Sequence, residues 1–245
     1  MRSLALVRLN LALLAAEPGA VISRIGMPPV MITVLRPLYR AAIGDQGTTH
    51  AVTGMLVLFS LLGLSIVGGS LLTERSWHTL DRLRATPASP WQILTGKAVA
   101  LGGVLLAQQA VVLGYGVVAL GLWVARPDLL ALAALAWAVT LLLLGAAAAM
   151  MVRSHSELGA VNDLGALLLS TLGGAMVPLS LLPGWAQAVA PASPGYWALQ
   201  ALGGAATGDP DAVLHGVGVL LLVALVAGLY AAWRMNRGWG RSRLL

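Results

Sequence analysis

Very few side chains in this sequence are of the types that perform acid–base, nucleophilic or metal chemistry, and those few are scattered. Lys, Arg, Asp and Glu make up 10% of the 245 residues, and there is no cysteine. His50, His155 and His215 form no i, i+4 pair of the kind that binds zinc on a helix. The step Gly96-Lys97 lacks the earlier glycine and the following hydroxyl of a phosphate-binding loop. The sequence therefore predicts no catalytic site, no metal site and no ATP bound by this chain.

The composition is typical of a membrane protein. Apolar residues make up 58% of the chain and the mean hydropathy is +0.85, whereas soluble domains are about 45–50% apolar. The strand alternation that a barrel needs is absent, so the fold class is predicted as all-α and polytopic. The net charge of +6 suggests nucleic acid binding, but basic residues spread over several loops favour arginines of cytoplasmic loops instead.

Four apolar runs are each long enough to cross a bilayer, which takes about 20 helical residues. They are Ala51–Leu72, Ile93–Val124, Leu129–Val152 and Ala212–Trp233. A fifth run, Leu158–Val177, is apolar apart from Asn162 and Asp163 near its start. The earliest run, Val21–Ile43, spans the membrane only if Arg24 and Arg36 reach opposite headgroup layers.

The distribution of basic residues favours counting this earliest run as a span. With six spans and both termini in the cytoplasm, twelve Lys and Arg residues are cytoplasmic and three, Arg36, Arg40 and Arg126, are external. With five spans the split is nine to six, which fits the positive-inside rule less well. We therefore expect six transmembrane helices in a single multi-pass domain, 1–245, of the cytoplasmic membrane.

The first 20 residues have two interpretations. Arg2 and Arg8 before an apolar stretch ending at Ala15-Ala16 resemble a secretory signal. The apolar part is short and Arg8 interrupts it, so we favour an uncleaved helix, residues 1–20, lying on the cytoplasmic leaflet.

Residues 178–211 are neither a span nor an ordinary loop. Prolines at Pro178, Pro183, Pro191 and Pro194 forbid one continuous helix. Trp185, Tyr196 and Trp197 are aromatics that prefer the membrane–water boundary. We expect two short helices, near Gly184–Ala190 and Gly195–Leu202, that re-enter the outer leaflet. The alternative is a disordered external loop, which the aromatics and scarce charges disfavour.

Residues 73–90 carry a charged helix between two apolar runs. Five of the 24 charged residues lie between Glu74 and Arg84. Thr73 is predicted to cap its N-terminus, and Pro87 and Pro90 to end it. At 100° per residue Trp77, Leu80 and Leu83 share one stripe, and the polar residues share another. The polar stripe comprises Glu74, Arg75, His78, Asp81 and Arg82. Such a helix lies flat at the membrane surface, either as a docking element or as the anchor of a loop.

Two patches resemble one family. The run Glu74–Pro87, followed by Ile93-Leu94-Thr95-Gly96-Lys97, resembles the first cytoplasmic loop of ABC type-2 exporter permeases. The run Val177–Trp185, continuing to Pro191-x-Ser193-Pro194-x-Tyr196-Trp197, is similar to the external segment after that family's fifth span. The closest similarity is to the daunorubicin-resistance type of antibiotic-export permease.

The resemblance implies a division of labour between chains. A separate ATPase subunit would hold ATP and Mg²⁺, and two copies of this chain would form the membrane part as a homodimer. Residues Glu74–Arg84 would be the coupling helix in the cleft of that ATPase. Its contacts would come from Glu74, Arg75, Leu80, Asp81, Arg82, Leu83 and Arg84. Trp77 and His78 occupy positions that vary in the family.

The resemblance also places the second and fifth spans beside the substrate pathway between the two copies. The candidate pathway residues are Ser60, Ser65, Asn162, Asp163, Ser170 and Thr171. Isolated Ser and Thr residues more often bond their own backbone. Asp163 alternatively meets cytoplasmic water and pairs with Arg153. Gln108 and Gln109 are expected to bond across to a neighbouring helix.

The sequence as a whole predicts the permease of an ATP-driven exporter for a hydrophobic or amphipathic compound of drug or antibiotic type. Lipid, polysaccharide and haem-related substrates are alternatives within this class. A different class would be an ATP-independent membrane scaffold or a lipid-modifying enzyme. An enzyme needs clustered His, Asp or Glu, and a scaffold needs no helix shaped for a partner.

Overall fold

The chain is helical throughout the parts that the structure describes. The computed structural model describes residues 18–76 and 90–237, and no β-strand occurs in these two ranges. The helices are α1 Pro18–Ile43, α2 Gln46–Leu62, α3 Leu64–Ser76, α4 Pro90–Leu120, α5 Pro127–Met151, α6 His155–Leu172, α7 Gly184–Val189, α8 Pro194–Thr207 and α9 Pro210–Asn236. Single 3₁₀ turns lie at Leu179–Leu181 and Ala190–Ala192. The all-α fold class is confirmed for these residues, and the helix predicted over 1–20 lies almost wholly outside them.

Four stretches are long and apolar enough to cross a membrane. They are Gln46–Thr73, formed by α2 and α3 together, Ala98–Leu120, Pro127–Met151 and Pro210–Asn236. These correspond one to one to the four clearest apolar runs of the sequence, which confirms a multi-pass membrane protein. Crossing by α1 and α6 stays a prediction, although both are helical over most of the expected residues.

The fifth apolar run ends earlier than predicted. Helix α6 stops at Leu172 instead of continuing to Val177, because Gly174 adopts a left-handed conformation with φ 79°. The Gly174 amide donates to Thr171 O at 3.1 Å and the Ala175 amide to Ser170 O at 2.8 Å. This is the Schellman arrangement that satisfies the last carbonyls of a helix.

Helix α4 also ends before the predicted limit of Val124. Gly121 has φ 67°, and the amide of Leu122 returns to Gly116 O at 2.9 Å. A left-handed residue directly after Leu120 cannot continue a right-handed helix. The remaining residues up to Pro127 form the connection to α5.

Helix α2 lies at the centre of the molecule. Every residue from Ala51 to Leu61 is buried, because α1, α4, α6 and α8 all pack against it. Helix α9 lies mainly along α5 and α8, and α3 lies against α5 and α6. The largest buried side chain is Trp137 of α5.

Two ends of the bundle can be distinguished by the bonds between elements. At the first, the Arg36 Nε donates to Thr48 Oγ1 and its Nη2 to Leu120 O, both at 3.1 Å. A guanidinium at the last carbonyl of α4 also meets the negative end of the helix dipole. The amides of Ala125 and Arg126 reach α8 from the connection between α4 and α5. We call this the Arg36 end.

The opposite end contains the last turns of α3, α5 and α9 and the first turn of α6. Thr73 Oγ1 lies 3.5 Å from His155 Nε2, and Arg234 Nη2 donates to Met150 O at 3.3 Å. Leu72, Met150 and Leu158 form a small apolar cluster there. We call this the Arg153 end, since Arg153 follows α5.

The outer surface of α1, α4 and α9 is strongly apolar. Val34 is 66% exposed, Val118 88% and Leu222 59%. In water such a surface would be an aggregation liability, but lipid chains solvate it without cost. The exposed valines and leucines therefore suit contact with lipid chains or with another apolar surface in the membrane.

Candidate functional site

The residues that lead into the 73–90 segment continue α3 instead of starting a new helix. The prediction that Thr73 caps a separate helix is wrong, because Thr73 lies inside α3 and its Oγ1 donates to Gly69 O at 2.9 Å. A threonine bonded to the carbonyl four residues earlier is in a helix interior. Glu74 and Arg75 are helical residues of α3. Trp77, His78, Leu80, Asp81, Arg82, Leu83 and Arg84 lie outside the described residues.

The first turn of α6 lies beside the end of α3 and is firmly capped. Ser154 Oγ accepts from the Glu157 amide at 3.1 Å, and Glu157 Oε2 accepts from the Arg153 amide at 2.8 Å. Such reciprocal bonding fixes the direction in which a helix begins. The Ser-x-x-Glu spacing of Ser154 and Glu157 is a signal in the sequence for this helix start.

Half of the candidate pathway residues point into the protein. Asn162, Ala166 and Ser170 form the buried stripe of α6. Ser170 Oγ donates to Leu167 O at 3.1 Å, and Ser65 Oγ to Leu62 O at 3.0 Å. The Ser170 hydroxyl bonds its own helix, as isolated serines in spans often do, whereas the Ser65 hydroxyl in the first turn of α3 bonds the last residue of α2. Ser60 is also buried, but its Oγ has no hydrogen-bond partner among the described residues.

The other face of α6 points outward. Asp163 and Leu164 are exposed, Thr171 is half-buried, and Leu168 is 60% exposed. Within the described part of the chain Asp163 forms no ion pair with Arg153, whereas Arg126 and Asp128 form a salt bridge there. Beyond its first turn, which carries Glu157, the outward face of α6 is therefore an apolar stripe interrupted by the carboxylate of Asp163.

The 178–211 segment is an ordered structure at the Arg36 end. The two helices expected within it are present as α7 and α8, the second longer than predicted. Pro178 is buried, Pro183 precedes α7, and Trp185 is 67% exposed. The alternative of a disordered loop is thus excluded, while re-entry into the membrane stays a prediction.

The aromatic side chains of this segment hold it in shape. Trp197 Nε1 donates to Pro191 O at 2.8 Å, and the Trp197 ring stacks on His215 with centroids 5.1 Å apart. Tyr196 meets the Trp197 ring edge-on at 4.9 Å. These contacts join the two halves of the segment to the start of α9.

Ser193 connects the segment to the end of α6. Its Oγ donates to Leu169 O at 2.6 Å and accepts from the Gly195 amide at 3.1 Å. The side chain is 3% exposed and caps the N-terminus of α8. One buried hydroxyl therefore fixes both α6 and α8.

Ser193→Ala is expected to lower the free energy of unfolding by about 1–3 kcal/mol, since it removes a cap and a buried hydrogen bond. Thermal unfolding of the purified chain in detergent measures the change. Ser180→Ala is the matched control, because Ser180 is an exposed serine of the same segment. If Ser180→Ala lowers the free energy of unfolding as much as Ser193→Ala does, the stabilising role of the two Ser193 hydrogen bonds is contradicted.

A cavity of about 370 Å³ opens between α2, the 178–211 segment and the start of α9. Its lining mixes apolar and polar residues, and the polar ones include Gln46, Thr49, His50, Ser180, Gln200 and Asp209. At the start of α5, the hydrogen bond to Asp128 raises the pKa of the Arg126 guanidinium.

The described residues contain no group of three His, Asp or Glu side chains that could hold a metal ion. What they do contain is an all-helical membrane bundle with a helix running directly into a charged segment. The sequence matches the ABC-2 type transporter family over residues 3–205. The chain belongs to the ABC-2 type transporter family. A comparison with curated proteins finds no match.

Membership of this family settles the class of the protein. It is the permease subunit of an ABC exporter, a multi-pass membrane protein that is not itself a catalytic enzyme. Permeases of this family work with an ABC ATPase, so family membership implies an ABC ATPase as a partner of this chain. The match covers both patches on which the sequence resemblance rests.

Proposed function

We propose that this permease moves a hydrophobic or amphipathic compound, of drug or antibiotic type, outward across the cytoplasmic membrane. A separate ATPase subunit supplies the energy and binds the 73–90 segment. The family match over residues 3–205 carries this proposal. The exposed carboxylate of Asp163 on the outward face of α6 supports it, because a charged side chain along a predicted span needs a polar route.

The 73–90 segment is proposed as the coupling element on the cytoplasmic side. Helix α3 leads into it and α4 follows it, so both of its ends join long helices of the bundle. Basic residues at the Arg153 end, including Arg234 and Arg237 of the last helix turns, favour the cytoplasm for this end. Closure of the ATPase on ATP would thus push on α3.

The outward face of α6 is proposed to face a second copy of the chain. Asp163 is eight residues into α6, or about 12 Å at 1.5 Å per residue, and a carboxylate at that depth is costly against lipid. A water-containing path between two copies removes this cost. Asp163 and Thr171 would then touch the transported compound, whereas the buried Ser60, Asn162 and Ser170 and the partly buried Ser65 would shape the helices behind it.

Transport by inside-out membrane vesicles tests the proposal. The chain would be co-expressed with its partner ATPase subunit, and ATP-dependent uptake of rhodamine 6G would be measured. Uptake that stops without ATP supports an amphipathic substrate. Movement of a headgroup-labelled phospholipid in place of the dye would instead support the lipid alternative. ATP hydrolysis that the permease leaves unchanged, with no movement of either probe, would contradict the proposal.

A further inference from the structure

The carboxylate of Asp163 lies along a predicted span where the neighbouring helices are poor in positive charge. Asp163 is eight residues into α6, or about 12 Å at 1.5 Å per residue. The helices that pack on α6 are chiefly α2, α3, α5, α7 and α8. Together with α6 itself, these helices contain a single Lys or Arg residue, Arg75.

Arg75 lies at a different level of the bundle from Asp163. It belongs to the last turn of α3, two residues after Thr73, whose Oγ1 is 3.5 Å from His155 Nε2. His155 is the first residue of α6. Arg75 is therefore level with the first turn of α6, about two turns away from Asp163. The described helices around Asp163 thus bring no counter-charge to its level.

The residue before Asp163 fixes the direction in which Asp163 points. Asn162 Nδ2 donates to Leu62 O at 3.1 Å, and Leu62 is the last residue of α2, just before the break at Gly63 that separates α2 from α3. Asn162 is 5% exposed, so its amide is used in the interior. Consecutive helical residues are about 100° apart. With Asn162 held inward, Asp163 is turned to the outer surface of the bundle.

The surface around Asp163 is apolar. Leu164 is 64% exposed, Leu167 47% and Leu168 60%. Asp163 and Leu167 are four residues apart, which places their Cβ atoms about 5–6 Å from each other on one side of the helix. A single molecule with an apolar body and a positively charged group could therefore contact the leucines and the carboxylate at once.

A second copy of the chain would add a second carboxylate. This step rests on the proposed function, in which the outward face of α6 borders a path shared by two copies. A twofold assembly presents the same residue from each copy, so two Asp163 side chains would border the path. A passage lined by charge of one sign concentrates ions of the opposite sign. An anion there would lose its water beside two carboxylates, which is costly.

We propose that the transported compound is an organic cation and that Asp163 is the residue that selects it. The positive group contacts the Asp163 carboxylate, and the apolar body contacts Leu164 and Leu167. This deepens the proposed function by narrowing its substrate class, since anionic and neutral amphipathic compounds gain nothing from the carboxylate. It also disfavours anionic lipids and anionic polysaccharides among the alternatives.

Competition between two ions of opposite charge tests this proposal. Tetraphenylphosphonium and tetraphenylborate have nearly the same size and shape, but the first is a cation and the second an anion. Each would compete with ATP-dependent uptake of rhodamine 6G into inside-out vesicles that contain the permease and its ATPase, with the membrane potential collapsed. The readout is the ratio of the two concentrations that halve uptake. A loss of activity that affects both ions equally leaves this ratio unchanged.

Asp163→Asn is expected to shift the ratio by at least about tenfold toward the anion, because one charge beside the bound ion is removed from each copy. Asp163→Glu keeps the charge and should keep the ratio of the natural chain. Asp211→Asn is the matched control, since Asp211 is an exposed aspartate in the first turn of α9 at the Arg36 end. It should also leave the ratio unchanged.

The outcomes separate this inference from the proposed function. If neither rhodamine 6G nor labelled phospholipid moves with ATP, the proposed function fails and this inference fails with it. If the dye moves with ATP but Asp163→Asn keeps the ratio of the natural chain, only the selection of cations is overturned. An equal shift with Asp211→Asn, or ATP-driven movement of the phospholipid alone, would overturn it as well.

Discussion

Gly54→Leu is expected to prevent the 178–211 segment from docking and to leave little folded protein in the membrane. Gly54 lies in the centre of α2, where the turn after α6 approaches it directly. A Cβ atom built on Gly54 would overlap the carbonyl oxygen of Ala175. Because this oxygen belongs to the backbone of a fixed turn, it cannot rotate away as a side chain would.

The size of the destabilisation expected for Gly54→Leu follows from the close packing around Gly54. Adding atoms to a packed interior usually costs about 1–3 kcal/mol, and a leucine meeting fixed backbone is expected at or above the upper limit. The same turn is held on its other side by Tyr39, whose hydroxyl donates to Met176 O at 2.6 Å. Yield after detergent extraction and the thermal unfolding midpoint measure the effect.

Gly69→Ala is the matched control for this prediction. Gly69 lies in the same span, and a Cβ built there meets nothing within 4 Å. Alanine favours a helix by up to about 1 kcal/mol over glycine, so this variant should be neutral or slightly stabilising. If Gly54→Leu unfolds at the same temperature as Gly69→Ala, the close approach of Ala175 is refuted.

Leu80→Asp together with Leu83→Asp is expected to abolish binding of the ATPase. Both leucines belong to the proposed coupling helix, and burying one leucine contributes about 1.5–3 kcal/mol. Loss of both contacts weakens binding by at least about 3 kcal/mol, or more than a hundredfold in Kd. Desolvation of two new carboxylates adds to this loss.

The control uses the same two positions. Leu80→Met with Leu83→Met conserves volume and apolar character, and such exchanges usually cost less than about 1.5 kcal/mol. Pull-down of the ATPase with the tagged permease, followed by ATP hydrolysis in the eluted complex, measures both pairs of variants. Equal recovery of ATPase with the aspartate and the methionine pairs would rule out the coupling role.

The long apolar elements were predictable from the sequence. The predicted run Leu129–Val152 begins two residues after the start of α5 and ends one residue after its end. The agreement is close because crossing a bilayer imposes a minimum length on any helix. The order of the 178–211 segment was also foreseeable, since its prolines and aromatics restrict the backbone and favour the membrane boundary.

Features that depend on contacts between distant residues were not predictable. The break at Gly63 lies in a run that is uniformly apolar, and its bond to Asn162 joins residues 100 positions apart in the sequence. Thr73 has the residue type of a helix cap, but the packing of Leu72 with Met150 and Leu158 accompanies continuation of α3 past it. Tertiary packing of this kind overrides local preference.

The candidate pathway residues show the same limit of prediction from sequence. A polar residue in an apolar run shows that the run has a polar partner, but not which one. Asn162 and Asp163 are adjacent in sequence, yet the first is buried on a backbone carbonyl and the second is exposed. The 100° step between neighbouring helical residues separates their surroundings, and only the packing of α6 on α2 decides which of them turns inward.

Affinity purification of this permease from the membranes of its own host tests the central claim most directly. The account predicts that an ATPase subunit with a phosphate-binding loop copurifies in equal molar amount, hydrolyses ATP, and is lost from the Leu80→Asp, Leu83→Asp variant. Folded permease recovered without any ATPase, or with an ATPase that the two aspartates fail to displace, would contradict it.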